Sequence, residues 1–431
     1  MAISNGSTNG TDTSPSAFPQ PPPIIIAGGG CVGLFLALLL AHAPIPHRIL
    51  IIEPSTPDPT ATRAIAHQQP TYPILSRVPG LLPALIEAGT LASGLCFRTS
   101  VAHGSRVIAE KRFENAGGEG GKGKGQLLLP QGRFQEVLLE KLGALRERVQ
   151  VRVGWRVIGF EQRGGGVGVV IESAAGEVEK VEGVYLVGAD GAHSAIRKEL
   201  GIPFNGETLD GMLVATDLFF DFQAHGFLDA NFIIDPQDFG LIGRINKAGL
   251  WRVSYGVPSS YTDAQIQETV DEKLSRILPN AGLSPDGEKE YAVVRIAPYK
   301  AQQRCAESFW KGRVGLVGDA AHLANPYAGL GLASGIADAS SLADVLIRIL
   351  SNQASDPEKL LSSWSIARRA KFENVVDKPS RMAYRRVSRD VSSPEKIAEL
   401  VGSDPLVGAV KSGMPMMPPS LETRGEELEG W

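Results

Sequence analysis

Three stretches of this chain combine glycines with acids in patterns that could hold a phosphate-bearing cofactor. In the first, IIIAGGGCVG, a β-branched run leads into Gly28, Gly30 and Gly33 at G-x-G-x-x-G spacing. A helix-like run, LFLALLLAH, follows, and a second apolar run, RILIIEP, ends in Glu53, 20 residues beyond Gly33. This is the strand, turn, helix, strand, acid order of a dinucleotide-binding βαβ unit. Gly28 makes the tight turn, Gly30 lets backbone approach a pyrophosphate, and Gly33 lets helix and strand pack closely. The helix N-terminus faces the phosphates and Glu53 can bond ribose hydroxyls. The spacing alone does not choose between FAD and NAD.

The second stretch, YLVGADGAHSAIRKELGI, is an apolar strand delivering Gly188, Asp190 and Gly191, with Ser194 and Arg197 on a helix-like segment. The third, GRVGLVGDAAHLANPYAGLGLASG, is a strand ending in Gly318 and Asp319, then a proline loop, a glycine-rich turn and a long helix. An isolated Asp after a strand and a glycine would simply cap a helix. Two of them, in this order behind a βαβ unit, point to one shared cofactor site. His322 is expected to pack behind the third loop, and His193 carries the same non-catalytic reading.

Together the three motifs resemble the single-component FAD-dependent aromatic hydroxylases, the group A flavoprotein monooxygenases similar to para-hydroxybenzoate hydroxylase, over about Ile24 to Arg385. The resemblance implies non-covalent FAD, with Gly28, Gly30, Val32, Gly33 and Glu53 on its ADP half. It implies that Asp319 holds the ribityl chain and that Asp190 belongs to the motif serving both FAD and NADPH. Arg63, in TATRAIAHQQP, matches the arginine after the second strand, and Gln131, in LLLPQGRFQEV, matches a Gln or Arg near the ribityl chain. The physics of NPYAGLGLASG supports the same reading, because reduced flavin carries negative charge at one edge. Free N–H groups of Gly329, Leu330, Gly331 and Leu332 at a helix start suit such an anion, with Pro326 shaping the oxygen-facing side.

The positioning elements follow from composition and pattern. With 43% hydrophobic residues the chain can build a sizeable core, and a net charge of −4 argues against nucleic acid. Residues 24–44 are long enough for a membrane span, but a span has no use for the strand before or the acid after, so no membrane partner is expected. Cys31, Cys96 and Cys305 form neither a disulfide framework nor a metal-spaced pair, which suits the reducing cytoplasm, and no metal is expected. Residues 1–23, rich in Ser, Thr, Asn and Pro and without a basic segment before Ile24, read as a disordered tail rather than a signal.

The expected fold is α/β: a Rossmann-like FAD-binding domain from residues 24–203 and 296–352, a mixed β-sheet substrate domain at 204–295, and C-terminal helices and tail at 353–431. Residues 115–125, NAGGEGGKGKG, read as a flexible loop and 151–184 as a small antiparallel meander. In MLVATDLFFDF, alternation puts Val214, Thr216, Leu218, Phe220 and Phe222 on one face and Asp217 and Asp221 on the other. LWRVSYGV likewise separates Trp251, Val253 and Tyr255 from Arg252 and Ser254. The apolar face is expected to cover the flavin.

The function so implied is an FAD-dependent monooxygenase that uses NAD(P)H and O2 to hydroxylate or epoxidise a hydrophobic, aromatic or polycyclic small molecule through a flavin C4a-hydroperoxide, in a fungal-type specialised metabolism. Tyr255 and Arg252 are the candidate catalytic polar groups. Several relatives carry an arginine where this chain has Thr216 and Asp217, and some a histidine where YKAQQRCA has Gln302. A flavin oxidase or dehydrogenase of the same fold and a non-catalytic FAD-binding sensor remain as alternatives. A halogenase would need a Trp-x-Trp pair, a disulfide reductase a close cysteine pair, and neither occurs; a plain NAD dehydrogenase leaves two motifs idle.

Overall fold

A computed structural model describes residues 21–113, 125–414 and 420–431. The tail expected at 1–23 and the loop at 115–125 therefore lie almost wholly outside the described residues. The apolar stretch resolves into a four-residue strand, Ile24–Ala27, and a 12-residue helix, Cys31–His42, buried on nearly every side. Twelve residues span only about 18 Å, well short of a bilayer core. Among the described residues no helix is long and apolar enough to cross a membrane.

That strand is central in a six-stranded sheet. Five parallel strands run in the order Val314–Leu316, Tyr185–Gly188, Ile24–Ala27, Ile49–Glu53 and Val149–Val153, with Trp310–Lys311 antiparallel at one edge. All three motifs thus leave the same end of one sheet, on neighbouring strands. Close approach is possible only because of glycines. Gly28 adopts φ +110° and a Cβ there would sit 2.2 Å from the Ala189 carbonyl oxygen, while one on Gly33 would sit 2.1 Å from that of Gly28. The Cys31–His42 helix packs against the long helix Gly331–Leu350, where Val32 lies against Gly318 and Gly335. The meander appears as Trp155–Arg163, Gly166–Ser173 and Val178–Gly183.

The second sheet has seven strands, in the order Ala292–Tyr299, Met212–Phe219, Leu250–Val257, Gly240–Arg244, Ala230–Ile234, Gly94–Thr99 and Val107–Arg112. Two of these come from the segment expected in the FAD-binding domain. Gly94–Thr99 runs parallel to Ala230–Ile234, a pairing between distant segments that local pattern cannot reveal. The edge strand Ala292–Tyr299 also crosses the boundary expected near residue 296.

The orientation of this sheet corrects a further expectation. Val214, Leu218, Trp251, Val253 and Tyr255 do share a face, but it packs on Ile266, Val270, Leu274 and Ile277 of the helix Asp263–Ile277. A capping box between Thr262 and Gln265 starts that helix. The face bearing Leu213, Asp217, Arg252 and Ser254 turns instead toward the nucleotide-binding half. There Leu213 is buried with Tyr327 and with Ala383 and Val387 of the helix Lys378–Val387. The C-terminal region is helical as expected, with a π-helical turn at Phe372–Asp377 between the helices Pro357–Lys371 and Lys378–Val387.

Candidate functional site

At the first motif the Gly29 N–H donates to Glu53 Oε2 at 2.6 Å and the Ser55 N–H to Glu53 Oε1 at 2.9 Å. Glu53 therefore closes the glycine turn, and its remaining lone pairs are available to hydroxyls. Gln135, which the motif reading did not single out, donates to the Gly29 carbonyl at 2.6 Å. Gln131 starts the helix Gln131–Gly143, and its carbonyl accepts the Cys31 thiol at 3.8 Å, so two helix starts meet beside the turn. The start at Cys31 has no side-chain cap and no acid in its first turn, so its amides and positive dipole end are free for an anion. No protein atom lies within 4 Å of where a Gly30 Cβ would be, and that face of the turn is open.

Of the two roles weighed for Asp190, the structure shows the helix cap. Its Oδ2 accepts the N–H groups of Ala195 at 2.7 Å and Ile196 at 3.2 Å, capping the short helix Ala195–Glu199. Its Oδ1 is buried without a partner, the state of an oxygen that awaits a donor. Arg197, buried over the Phe204 ring, donates to the Ala320 carbonyl at 2.7 Å and ties this motif to the third.

In the third motif Asp319 faces the cleft, while protein packed around the loop pushes its carboxyl above the usual aspartate range, partly offset by His322 and Arg63. The turn is held from behind by a residue that pattern reading missed. Asp338 Oδ2 accepts the Gly318 N–H at 3.0 Å and lies 2.6 Å from His322 Nε2, and its Oδ1 pairs with Arg368 Nε at 2.8 Å. Asp338, His322 and Arg368 are almost completely buried. The signal was legible: an aspartate between the small and apolar residues Gly335, Ile336, Ala337 and Ala339 of a helix must find a partner when buried. His322 occupies the packed, non-catalytic place expected for it, and His193 is exposed.

The proline loop hangs on Asn325, whose Oδ1 accepts the Tyr327 N–H at 3.1 Å. Its Nδ2 donates to Gln303 Oε1 at 3.1 Å and to the Ser380 carbonyl at 2.9 Å, and Gln303 continues to Asp377 Oδ1 at 2.8 Å. Gln303 is thus the loop's anchor, while Gln302 accepts from Arg304 at 3.0 Å. Gly329 takes the left-handed conformation at φ +63°. The helix Gly331–Leu350 begins without a side-chain cap, and a Gly331 Cβ would meet nothing within 4 Å. Pro326, Leu330 and Leu332 flank this second open helix start.

The candidate catalytic pair separates. Tyr255 is 1% exposed in the core beneath the Asp263–Ile277 helix, its hydroxyl 3.3 Å from that of Thr216. It lies on the far face of the sheet from the loop, because alternation that puts Leu213 inward puts Tyr255 outward. Arg252 is on the inward face but fully engaged. It donates to Asp217 at 2.8 and 3.0 Å, to Thr62 Oγ1 at 2.8 Å and to the Arg63 carbonyl at 3.1 Å. The Asp217 and Arg252 side chains face each other in register across two strands, and Arg295 adds a second guanidinium 3.5 Å from Asp217. Arg252 is therefore the clamp between the substrate sheet and the loop carrying Arg63. The Arg63 side chain is exposed, on the side of Asp319.

These features fit an FAD. Two uncapped helix starts suit its diphosphate and the anionic edge of its ring, two glycine faces are open, and Asp190 Oδ1 lacks a donor. Among the described residues no group of three or more His, Cys, Asp or Glu side chains could hold a metal ion. Comparison with known proteins agrees. The FAD binding domain family matches residues 22–379. The chain is 37% identical over 350 residues to para-nitrophenol 4-monooxygenase of Pseudomonas sp. strain WBC-3, covering 81% of this chain and 83% of that protein. It is 33% identical over 360 residues to 6-hydroxy-3-succinoylpyridine 3-monooxygenase HspB of Pseudomonas putida strain S16, covering 82% and 86%. The crystal structure of p-nitrophenol 4-monooxygenase PnpA from Pseudomonas putida DLL-E4 superposes with a TM-score of 0.80 at 30% identity, over 91% of this chain and 96% of that one. The chain belongs to the FAD binding domain family and is a single-component, FAD-dependent aromatic monooxygenase.

Proposed function

We propose that this enzyme oxygenates a phenol-type ring at the carbon para to the hydroxyl, where a substituent already sits, and so expels that substituent. The observation that carries the proposal is shared by the two relatives that align at 37% and 33% identity over more than four-fifths of this chain and of their own length. Each is named for a ring that bears a hydroxyl, oxygenated at the substituted carbon opposite it: position 4 of para-nitrophenol, and position 3 of a 6-hydroxypyridine. When bound, FAD accepts hydride from NAD(P)H and delivers one oxygen atom of O2 to the ring. Expulsion of nitrite from para-nitrophenol then leaves a quinone, and the second oxygen atom leaves as water.

The chain's own residues bind, orient and shield. The amides at Cys31 and Gly331 face the diphosphate and the ring edge, Glu53 meets ribose hydroxyls, and Asp319 accepts from the ribityl chain. Asp190 Oδ1, next to an Arg197 already occupied by two carbonyls, takes a donor from FAD or NAD(P)H. Water must be kept from the reacting centre. The buried contact of Leu213 and Tyr327 with Ala383 and Val387 closes one side of it. A hydrophobic substrate suits that wall. Three free cysteines support a cytoplasmic setting.

The test is NAD(P)H oxidation by the FAD-loaded enzyme with para-nitrophenol, scored by nitrite release. Nitrite stoichiometric with NAD(P)H is expected. Hydroxylation beside the hydroxyl with the nitro group retained would refute para attack, and hydrogen peroxide alone would refute the phenol class.

A further inference from the structure

One buried ring nitrogen beside the cofactor loop has no partner. His67 ends the two-residue strand Ala66–His67 and is 5% exposed. Its ring stacks on Phe134, with centroids 4.6 Å apart and planes 14° from parallel, and its Nε2 lies 2.8 Å from the Leu129 carbonyl oxygen. A carbonyl only accepts, so Nε2 carries the proton and Nδ1 is left as a bare lone pair. Burial pushes the pKa of His67 down to about 4, so the ring is neutral at physiological pH. Among the described residues nothing donates to Nδ1, and packed protein does not seal it off. A cavity of about 10 Å³ lies against this ring, room for a single water. Ala66, His67 and Gln68 line one side of it and Leu332, Ala333 and Ile336 the other. The far wall is therefore the first turns of the helix Gly331–Leu350, whose uncapped start suits the anionic edge of the FAD ring. Gln68 reaches the Ala328 carbonyl at 3.5 Å and so brings the two segments together beside the glycine turn.

We propose that His67 positions the FAD ring by accepting, at Nδ1, the hydrogen bond of the ring's imide N–H, directly or through the one water the cavity can hold. The pyrimidine edge of the isoalloxazine presents two carbonyls with one N–H between them. The amides of a helix start only donate, so they match the carbonyls and leave that N–H in need of an acceptor. Of the polar side chains on the cavity, Thr71 donates to the Gln68 carbonyl at 2.6 Å and Gln68 turns its amide to Ala328. His67 alone is fixed as an acceptor by its other bond. The Leu129 carbonyl sets its tautomer and Phe134 its ring plane, so the lone pair is preorganised before the cofactor arrives. An acceptor at the imide N–H pushes electron density into the ring and favours its oxidised form, so His67 also holds the reduction potential down. The assignment concerns the cofactor and is independent of which substrate ring the enzyme oxygenates.

The experiment exchanges FAD in the loaded enzyme against 3-methyl-FAD, whose imide nitrogen carries no hydrogen, and quantifies both flavins in the bound pool. Two variants divide the bonds of the imidazole. His67→Gln places an amide near the Nε2 position, keeping the Leu129 bond and losing the acceptor. His67→Asn places an oxygen near the Nδ1 position and gives up the Leu129 bond. Wild type should prefer FAD to the analogue. In His67→Gln that preference should shrink about three- to tenfold, the worth of one neutral hydrogen bond, with the Tm held and the reduction potential of bound FAD moved to more positive values. His67→Asn should lower the Tm and keep the preference. If His67→Gln retains the wild-type preference and potential, the assignment is wrong while FAD binding itself stands. Equal losses of preference in both variants, following the Tm, would make His67 structural and overturn the assignment. A wild type indifferent to the methyl group would overturn it too, since the N–H then meets no acceptor. Wild type that takes up neither flavin would refute the FAD site and the assignment with it.

Discussion

Replacing Arg368 by methionine should both destabilise the fold and loosen FAD, although Arg368 points away from the cleft. Its Nε pairs with Asp338 Oδ1 at 2.8 Å, and its Nη1 donates to the Leu421 carbonyl at 2.6 Å and to Thr423 Oγ1 at 3.0 Å. Both side chains of the ion pair have no exposed surface. Methionine fills much of the volume but leaves Asp338 with only the Gly318 N–H and His322, and leaves two acceptors unpaired. Removing one partner of a buried pair costs about 3–5 kcal/mol, a large share of the roughly 5–15 kcal/mol typical of a domain. The Gly318 N–H bond positions the residue before Asp319, so FAD affinity should fall as well. The pH dependence has a definite sign. Burial alone would raise the Asp338 carboxyl, but His322 and Arg368 outweigh it and hold it below the usual aspartate value. Such a group stabilises the fold above the ordinary aspartate pKa of about 4 and loses that contribution as pH falls through its lowered value. The gap between wild type and variant should therefore be full at neutral pH and narrow in acid. Urea unfolding across that range, with FAD release followed by fluorescence, measures both effects. A loss under about 1 kcal/mol at neutral pH, the scale of an exposed ion pair, would refute the reasoning, as would a gap that widens in acid.

Three further outcomes follow from the geometry. Gly30→Val should fold with an unchanged Tm but fail to retain FAD, since its side chain meets only the open face of the turn, whereas Gly33→Ala, 2.1 Å from the Gly28 carbonyl oxygen, should fail to fold; thermal melts and flavin absorbance separate the two. Asp319→Asn should raise the Tm of FAD-free protein at neutral pH and lose that advantage in acid, because a carboxyl whose folded pKa is raised destabilises the fold above its pKa, while its weaker acceptor lowers FAD affinity. Tyr255→Phe should leave kcat and KM unchanged and cost at most about 1 kcal/mol for its bond to Thr216; a large fall in kcat at wild-type stability would restore Tyr255 to the catalytic site.

What the sequence determined by itself is local and chemical. Gly28, Gly30, Gly33 and Glu53 announce a dinucleotide turn, because only glycine tolerates the backbone contacts at Gly28 and Gly33 and leaves the face at Gly30 open, and Asp190 and Asp319 stand where strands end. Three such motifs in order were enough for the family, the cofactor and the parallel sheet. The same alternation that defined two faces in MLVATDLFFDF and LWRVSYGV could not say which face meets the cofactor. Both are covered, one by the Asp263–Ile277 helix and one by the loop of Pro326 and the Lys378–Val387 helix. An apolar face is a demand for burial with no address on it, and only the tertiary structure supplied one. The same holds for the strands Gly94–Thr99 and Val107–Arg112 in the substrate sheet, for the Asp217–Arg252 clamp and for Asp338 with Arg368. Each joins residues far apart in the chain, and each exists because a charge or a strand edge buried by folding takes whichever partner the fold brings within reach.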